Sequence, residues 1–152
     1  MNYYCKKTKL GFLTISEKDN FIIEIKWEEK QGGNLTQLLK KAFLQIEEYL
    51  DGQRFEFNLS FKEEGTDFQN RVWDELSKIP YGETRSYKDI ANAIGNKKAC
   101  RAVGMANNKN PLAIVVPCHR VIGSNGSLKG YAGGLGTKEK LLELEQCAIR
   151  KS

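Results

Sequence analysis

The hydrophobic pattern of this chain changes near residue 65, and that change constrains the fold more than any other feature of the sequence. Before it, apolar residues alternate in short stretches that predict strands at about 2–8, 11–16, 21–26 and 54–61. Between the last two stretches, apolar residues at helical spacing predict a helix at about 35–50. The first part should therefore be a small sheet with one helix packed on it.

After a charged linker at 62–65, the helical period takes over. A capping-box pattern at Thr66-Asp67-Phe68-Gln69 begins one helix, Ser86 begins a second that Gly95 closes, and a third is predicted at about 98–107. The last two helices are typical of a helix-turn-helix. A helical hairpin with a purely structural role would have the same pattern. We expect an α+β fold.

The positive charge of the chain is concentrated in its second part. Residues 1–64 contain 10 Lys and Arg against 11 Asp and Glu, whereas residues 65–152 contain 14 against 8. We expect these segments to be two domains, since 152 residues can form two small cores. A basic domain beside a neutral one indicates a polyanionic partner, with nucleic acid as the first candidate. A solvated lysine-rich surface is the alternative.

The only histidine of the chain follows a cysteine, in Pro117-Cys118-His119-Arg120. The apolar run before it, at 112–116, predicts a buried strand, so the thiol should lie where the chain leaves the core. Because a neighbouring imidazole can activate a thiol, Cys118 and His119 are a candidate nucleophile and base. An inert buried thiol is the alternative. Since no closely spaced ligand pairs occur, we expect no metal and no cofactor.

No stretch of the sequence has the length and apolar content of a membrane span, and the first residues lack the apolar core of a signal peptide. The four cysteines are widely spaced, which is typical of a reduced, intracellular protein. We therefore expect a soluble, cytoplasmic monomer without a membrane partner.

A series of sequence blocks resembles one family, the O6-alkylguanine-DNA alkyltransferases, also called methylated-DNA-protein-cysteine methyltransferases. The blocks are Phe68-Gln69 with Val72-Trp73, Ile79-Pro80-x-Gly82, Ser86-Tyr87 with Ile90-Ala91, Arg101-Ala102-Val103-Gly104, Asn110-Pro111, Pro117-Cys118-His119-Arg120-Val121, Gly130-Tyr131-Ala132-Gly133-Gly134, and Lys138-Glu139 with Leu141-Leu142 and Glu145. The resemblance implies a small N-terminal α/β domain of the ribonuclease H-like type. A mostly helical domain of the winged helix-turn-helix type would follow it.

The resemblance implies a DNA repair enzyme, a methylated-DNA-protein-cysteine S-methyltransferase that is consumed by its reaction. Cys118 would take the alkyl group of O6-alkylguanine irreversibly, once per molecule, with O4-methylthymine as a second candidate substrate. His119 would act as base through a water, and Glu145 would hold the imidazole in the useful tautomer. Asn110 would brace the loop around the cysteine. Tyr87 would donate a hydrogen bond to the purine as negative charge develops.

The same resemblance implies that the protein binds double-stranded DNA through the minor groove, largely independently of sequence. The target nucleotide would rotate out of the duplex, and Arg101 would replace it in the stack. Further DNA contacts are implied at Tyr87, Lys88, Asn96, Ala102, Gly104 and Ser124. Tyr131, the backbone N–H of Ala132 and the carbonyl of Val121 would line the substrate pocket.

Two other functional classes compete with the transferase. Alkyltransferase-like binding proteins recognise alkylated guanine without removing the group, but they lack the cysteine at the position that Cys118 occupies. A cysteine hydrolase could use Cys118 and His119. That class leaves the basic helix pair, with Arg101 and Tyr87, unexplained.

Overall fold

The computed structural model describes residues 1–128 and 130–151, so positions 129 and 152 of the predicted second domain lie outside the described residues. The N-terminal part is an antiparallel sheet in the order β1-β2-β3, formed by β1 (Asn2–Thr8), β2 (Gly11–Lys18) and β3 (Phe21–Lys26). One helix, α1 (Gln37–Leu50), packs its buried apolar face on the sheet. These elements confirm the first three predicted strands and the first predicted helix.

Capping side chains begin the next two helices. Ahead of α2 (Asp67–Leu76), the Thr66 hydroxyl accepts from the Gln69 N–H at 3.1 Å, and the Gln69 side chain accepts from the Thr66 N–H at 3.0 Å. Ser86 forms a second capping box ahead of α3 (Tyr87–Ala93). Both helix starts are confirmed, because a side chain satisfies backbone donors that a helix leaves unpaired.

Two helices and a short parallel strand pair complete the chain. Gly95, with a φ of +77°, closes α3 and leads to α4 (Cys100–Asn108). Strand β4 (Arg85–Ser86) pairs in parallel with β5 (Val121–Ile122), and α5 (Leu135–Lys151) follows. The sheet therefore comes first and the helices second, which confirms the α+β class.

The predicted strand at 54–61 is wrong. Only Phe61 forms a bridge, to Ile22 of β3. The backbone of Asn58 pairs instead with the side-chain amide of Gln45 on α1, which accepts from the N–H at 2.9 Å and donates to the carbonyl at 3.1 Å. A helix side chain thus supplies the hydrogen bonds that a neighbouring strand would have supplied.

The apolar run at 112–116 is largely buried as predicted, but it is not a strand. Only Leu112 bridges β3, and Ile114 adopts a positive φ of 71°. The Asn110 side chain accepts from the Leu112 N–H at 3.0 Å and donates to the carbonyls of Leu112 and Val116 at 3.3 and 2.8 Å. One amide therefore folds the run into a tight loop.

Strand β3 supports this loop from the side of the sheet. Its Ile25 donates to the carbonyl of Pro111 at 2.8 Å and accepts from the N–H of Ala113 at 3.2 Å. Apolar side chains of the sheet, α1 and the later helices form one continuous core beneath the contact. The sheet thereby fixes the segment that leads into Cys118.

Candidate active site

Cys118 begins a 3-10 turn, Cys118–Arg120, directly before β5, and its side chain is buried. It lines a cavity of about 310 Å³ between the end of β3, the loop of Asn110, and the segment Tyr131-Ala132-Gly133. A cavity of this size can hold a small ligand. The thiol is therefore shielded from bulk water but lies on the wall of a space that a substrate could enter.

His119 and Glu145 form a buried pair beside the cysteine. The imidazole Nε2 lies 2.7 Å from Oε2 of Glu145, and the two side chains are 0% and 1% exposed. The imidazole Nδ1 is buried and has no hydrogen-bond partner among the described residues. Because a carboxylate can only accept, the neutral imidazole carries its proton on Nε2 and leaves the Nδ1 lone pair available.

Four further donors hold the Glu145 carboxylate. Arg120 donates from Nε to Oε1 at 2.9 Å and from Nη2 to Oε2 at 3.0 Å. The Gly82 N–H donates to Oε1 at 3.0 Å, and the Tyr49 hydroxyl donates to Oε2 at 2.5 Å. A carboxylate with so many donors is fixed in place, so it can orient the imidazole of His119.

Burial sets the protonation of the resting site. It raises the pKa of the Cys118 thiol, and the Asn110 amide offsets only part of that effect. Burial also lowers the pKa of His119, against the opposing influence of Glu145. Burial alone would raise the pKa of Glu145, but His119 and Arg120 outweigh this effect and lower that pKa to about 2. At neutral pH the site therefore holds a thiol, a neutral imidazole and a carboxylate.

The glycine-rich segment 130–134 covers one side of the cavity. The buried Tyr131 accepts a hydrogen bond through its hydroxyl from Trp27 Nε1 at 2.8 Å. A Cβ on Gly133 would overlap Cδ1 of Trp27 and would lie 2.7 Å from Cε2 of Tyr131. Ala132, which lies between Tyr131 and Gly133 in the sequence, is exposed. Close packing against two rings, and not a turn, therefore requires glycine at position 133.

Lys138 on α5 is buried and donates to the carbonyl of Val121 at 2.5 Å. Burial lowers the pKa of Lys138 to about 8, although the thiolate form of Cys118 would raise it. Val121, whose carbonyl was predicted to line the pocket, is fully buried and is not among the described residues that line the cavity. Only the second lone pair of its carbonyl is left as an acceptor. The ammonium group also favours the thiolate form of the cysteine.

Tyr87 lies at the start of α3 between two glycines. A Cβ on Gly104 would lie 3.8 Å from the Tyr87 ring, and one on Gly130 would lie 3.3 Å from its hydroxyl. Burial raises the pKa of Tyr87, and the nearby Cys118 adds to the increase. The phenol therefore remains protonated at neutral pH and can donate a hydrogen bond.

Six of the seven residues with an implied role in DNA binding lie on α3, on α4 or in the loop between these helices, and Ser124 follows β5. All are accessible: Lys88, Asn96, Arg101, Ala102 and Ser124 are exposed, whereas Tyr87 and Gly104 are half-buried. Trp73 on α2 supports helix α4, because its Nε1 donates to the carbonyl of Ala106 at 2.8 Å. The structure thus presents the exposed side chains of Lys88, Arg101 and Ala102 on a supported helix pair.

Four residues at the site have no role predicted from the sequence: Trp27, Tyr49, Arg120 and Lys138. Helix periodicity could have identified two of them. Lys138 lies three and seven residues before Leu141 and Glu145, on one buried face of α5. A lysine on a buried face is unusual and indicates a specific partner. Tyr49 similarly continues the apolar face of α1.

Within the described residues, no group of three His, Cys, Asp or Glu side chains is arranged to hold a metal ion. The four cysteines are all free. No helix in the described part of the chain combines the length and the apolar character needed to cross a membrane.

Two family models match the chain. The DNA binding domain of 6-O-methylguanine DNA methyltransferase matches residues 67–147, and the ribonuclease-like domain of the same family matches residues 1–62. The constitutive methylated-DNA-protein-cysteine methyltransferase of Bacillus subtilis is 44% identical over 168 positions, covering 99% of each chain. A protein of the same name from Methanosarcina barkeri is 55% identical over 114 residues, which cover 75% of this chain and 72% of the relative.

Solved structures agree with these sequence matches. A crystal structure of Mycobacterium tuberculosis OGT in complex with DNA has a TM-score of 0.88 and 42% identity, covering 97% of this chain and 94% of that one. An O6-methylguanine DNA methyltransferase from Methanococcus jannaschii has a TM-score of 0.71 and 29% identity, with coverage of 94% and 93%. The similarity therefore extends over both parts of the chain.

Proposed function

Because the chain belongs to the 6-O-methylguanine DNA methyltransferase family, we propose that Cys118 takes an alkyl group directly from O6-alkylguanine in DNA. The chain is a methylated-DNA-protein-cysteine methyltransferase, a DNA-binding enzyme of DNA repair. The observation that carries the proposal is the position of Cys118 on the cavity wall, beside the buried pair of His119 and Glu145.

In the proposed reaction, Sγ of Cys118 forms a bond to the alkyl carbon, and the bond between that carbon and O6 breaks. The electron pair of the broken bond stays on O6, and the proton lost by the thiol ends on guanine. The lone pair on Nδ1 of His119 first receives the thiol proton through a water, and Glu145 stabilises the imidazolium that forms. His119 returns to its neutral form when the departing guanine takes up this proton. Nothing in this sequence of steps restores the thiol, so each molecule acts once.

The leaving guanine needs hydrogen-bond donors, because it departs with negative charge. The protonated hydroxyl of Tyr87 supplies one, and the backbone N–H of Ala132 supplies another to O6. The Val121 carbonyl accepts from the guanine amino group, and Tyr131 forms a wall of the pocket. Asn110 keeps the loop in shape through its three hydrogen bonds. O4-methylthymine is a second candidate substrate.

A base within a duplex cannot reach a buried thiol, so the target nucleotide leaves the stack. The exposed Arg101 fills the gap, with α4 in the minor groove and little dependence on sequence. Flanking contacts come from Tyr87, Lys88, Asn96, Ala102, Gly104 and Ser124. We also propose that the protein acts as a monomer and that residues 1–64 and 65–152 form its two domains. The DNA complex of the Mycobacterium tuberculosis relative supports the choice of partner.

Mass spectrometry tests the transfer directly. The protein is incubated with duplex DNA that contains O6-methylguanine and is then digested. The peptide with Cys118 should gain about 14 Da, the mass of one CH2, in a yield that never exceeds one group per molecule. The variant Cys118→Ser serves as the control, because it keeps the shape of the side chain without the thiol. A peptide that stays unmodified after long incubation would favour a binding protein over an enzyme.

A further inference from the structure

We propose that Tyr49, which lies on α1 in the N-terminal part of the chain, is a positioning residue of the transfer site: its hydroxyl fixes the Glu145 carboxylate against His119. The inference rests on the proposed function of Cys118 and adds to it a contribution from the N-terminal part. Nothing in the sequence blocks that carry the chemistry lies near position 49.

The hydroxyl of Tyr49 reaches both members of the buried pair. It donates to Oε2 of Glu145 at 2.5 Å and lies 3.3 Å from Nε2 of His119. The Tyr49 side chain is 0% exposed, so no water competes for these contacts from the surface. Oε2 is thus the meeting point of the phenol, the imidazole and the Arg120 guanidinium. The direction of the imidazole depends on where this oxygen is held.

Aromatic packing fixes the Tyr49 ring independently of its hydroxyl. The ring centroid lies 5.6 Å from that of Phe57, 6.1 Å from that of Tyr81 and 6.5 Å from that of His119. A ring held on three sides presents its hydroxyl in one place, so little entropy is lost when the hydrogen bond forms. Replacement by phenylalanine should keep this packing and remove only the hydroxyl.

The Tyr49 hydroxyl stays protonated at neutral pH and therefore acts as a donor. Burial raises the pKa of Tyr49 well above its ordinary value, and the Glu145 charge raises it further. By donating to Oε2, the phenol takes up part of the carboxylate's capacity to stabilise an imidazolium. Loss of the hydroxyl should therefore leave a stronger acceptor for His119 and should raise the pKa of the imidazole.

Other charged and titratable groups face the same pair and stay in place in the test variant. They are Lys138 on α5, Arg120 in the 3-10 turn, and Tyr81 ahead of β4. Tyr81 provides a matched control. Its ring contacts that of Tyr49, but its buried hydroxyl has no hydrogen-bond partner among the described residues.

The experiment compares Tyr49→Phe with Tyr81→Phe in the full chain. We expect Tyr49→Phe to slow methyl transfer from duplex O6-methylguanine about tenfold, as loss of a hydrogen bond to a charged group can do. Tyr81→Phe should transfer at the wild-type rate. In the variant Glu145→Gln, adding Tyr49→Phe should have little further effect, because both changes act through one carboxylate.

A second readout separates positioning from simple loss of structure. Since His119 is the only histidine of the chain, its NMR signals are unambiguous, and its titration can be followed without any substrate. Tyr49→Phe should move this titration, and the acid limb of the pH-rate profile, to higher pH. An unchanged His119 titration in folded Tyr49→Phe would overturn the proposal, whether or not the rate falls. A wild-type protein that fails to transfer would refute the proposed function alone, because the titration does not depend on transfer.

Discussion

Replacement of Glu145 by glutamine should destabilise the fold, because His119 and Arg120 stabilise the buried carboxylate in the folded protein. Glu145 is 1% exposed, and its pKa falls from 4.5 in the unfolded chain to about 2 in the folded protein. At 1.4 kcal/mol for each pKa unit, this difference of about 2.5 units corresponds to about 3.5 kcal/mol. The amide of Glu145→Gln would also place a donor against Arg120 or His119, which are donors themselves. For a chain of this length the melting temperature should fall by about 7–14 °C.

The sign of the pH dependence follows from the lowered pKa. A carboxylate with a folded pKa below its unfolded value contributes stability above about pH 4.5 and loses that contribution as the pH falls toward 2. The difference between wild type and Glu145→Gln should therefore shrink over this window. Burial lowers the pKa of His119. His119 therefore reduces the stability of both proteins as the pH falls below the pKa that it has in the unfolded chain.

Urea unfolding at a series of pH values measures this difference. The variant Glu143→Gln is the matched control, because Glu143 lies on the same helix but is exposed. It should change the free energy of unfolding by less than about 0.5 kcal/mol. If Glu145→Gln unfolded with the same free energy as wild type at pH 7, or if the difference did not depend on pH, the buried ion pair would not stabilise the fold as argued.

Two further changes address the glycine-rich segment 130–134 and the proposed role of Arg101. Gly133→Ala should force Trp27 and Tyr131 apart, cost about 1–3 kcal/mol and slow transfer. Gly136→Ala should have none of these effects, because its Cβ would meet no atom of the described residues within 4 Å. Thermal melts and single-turnover kinetics measure both effects, and equal behaviour of the two variants would contradict the packing argument. Arg101→Ala should slow repair in duplex DNA far more than reaction with free O6-methylguanine base. Equal slowing with both substrates, followed by mass spectrometry, would remove its proposed role in base flipping.

The parts of the fold that depend on neighbouring residues in sequence were predictable. The capping box at Thr66, the helix start at Ser86 and the stop at Gly95 act within one helical turn, and the structure confirms all three. The first three strands also followed from local alternation. The candidate nucleophile and base could also be predicted locally, because Cys118 and His119 are adjacent in the chain.

The two wrong strand predictions have one physical cause. Alternating or continuous apolar residues predict burial, but they do not say which group will pair the buried backbone. Gln45 pairs the backbone of Asn58, and Asn110 pairs that of Leu112 and Val116. In both cases a side-chain amide replaces a strand, and this outcome depends on how the elements pack.

By itself, the sequence determined the local elements, the location of the basic part, and the residue types at the site. Only the tertiary structure decided which groups surround Glu145. Its partners Tyr49, Gly82 and Arg120 lie 96, 63 and 25 residues away along the chain. A contact over such a separation forms when helices and loops pack into one core, so no local pattern encodes it. The direction of each pKa shift is set in the same way, because burial and neighbouring charges exist only in the folded chain.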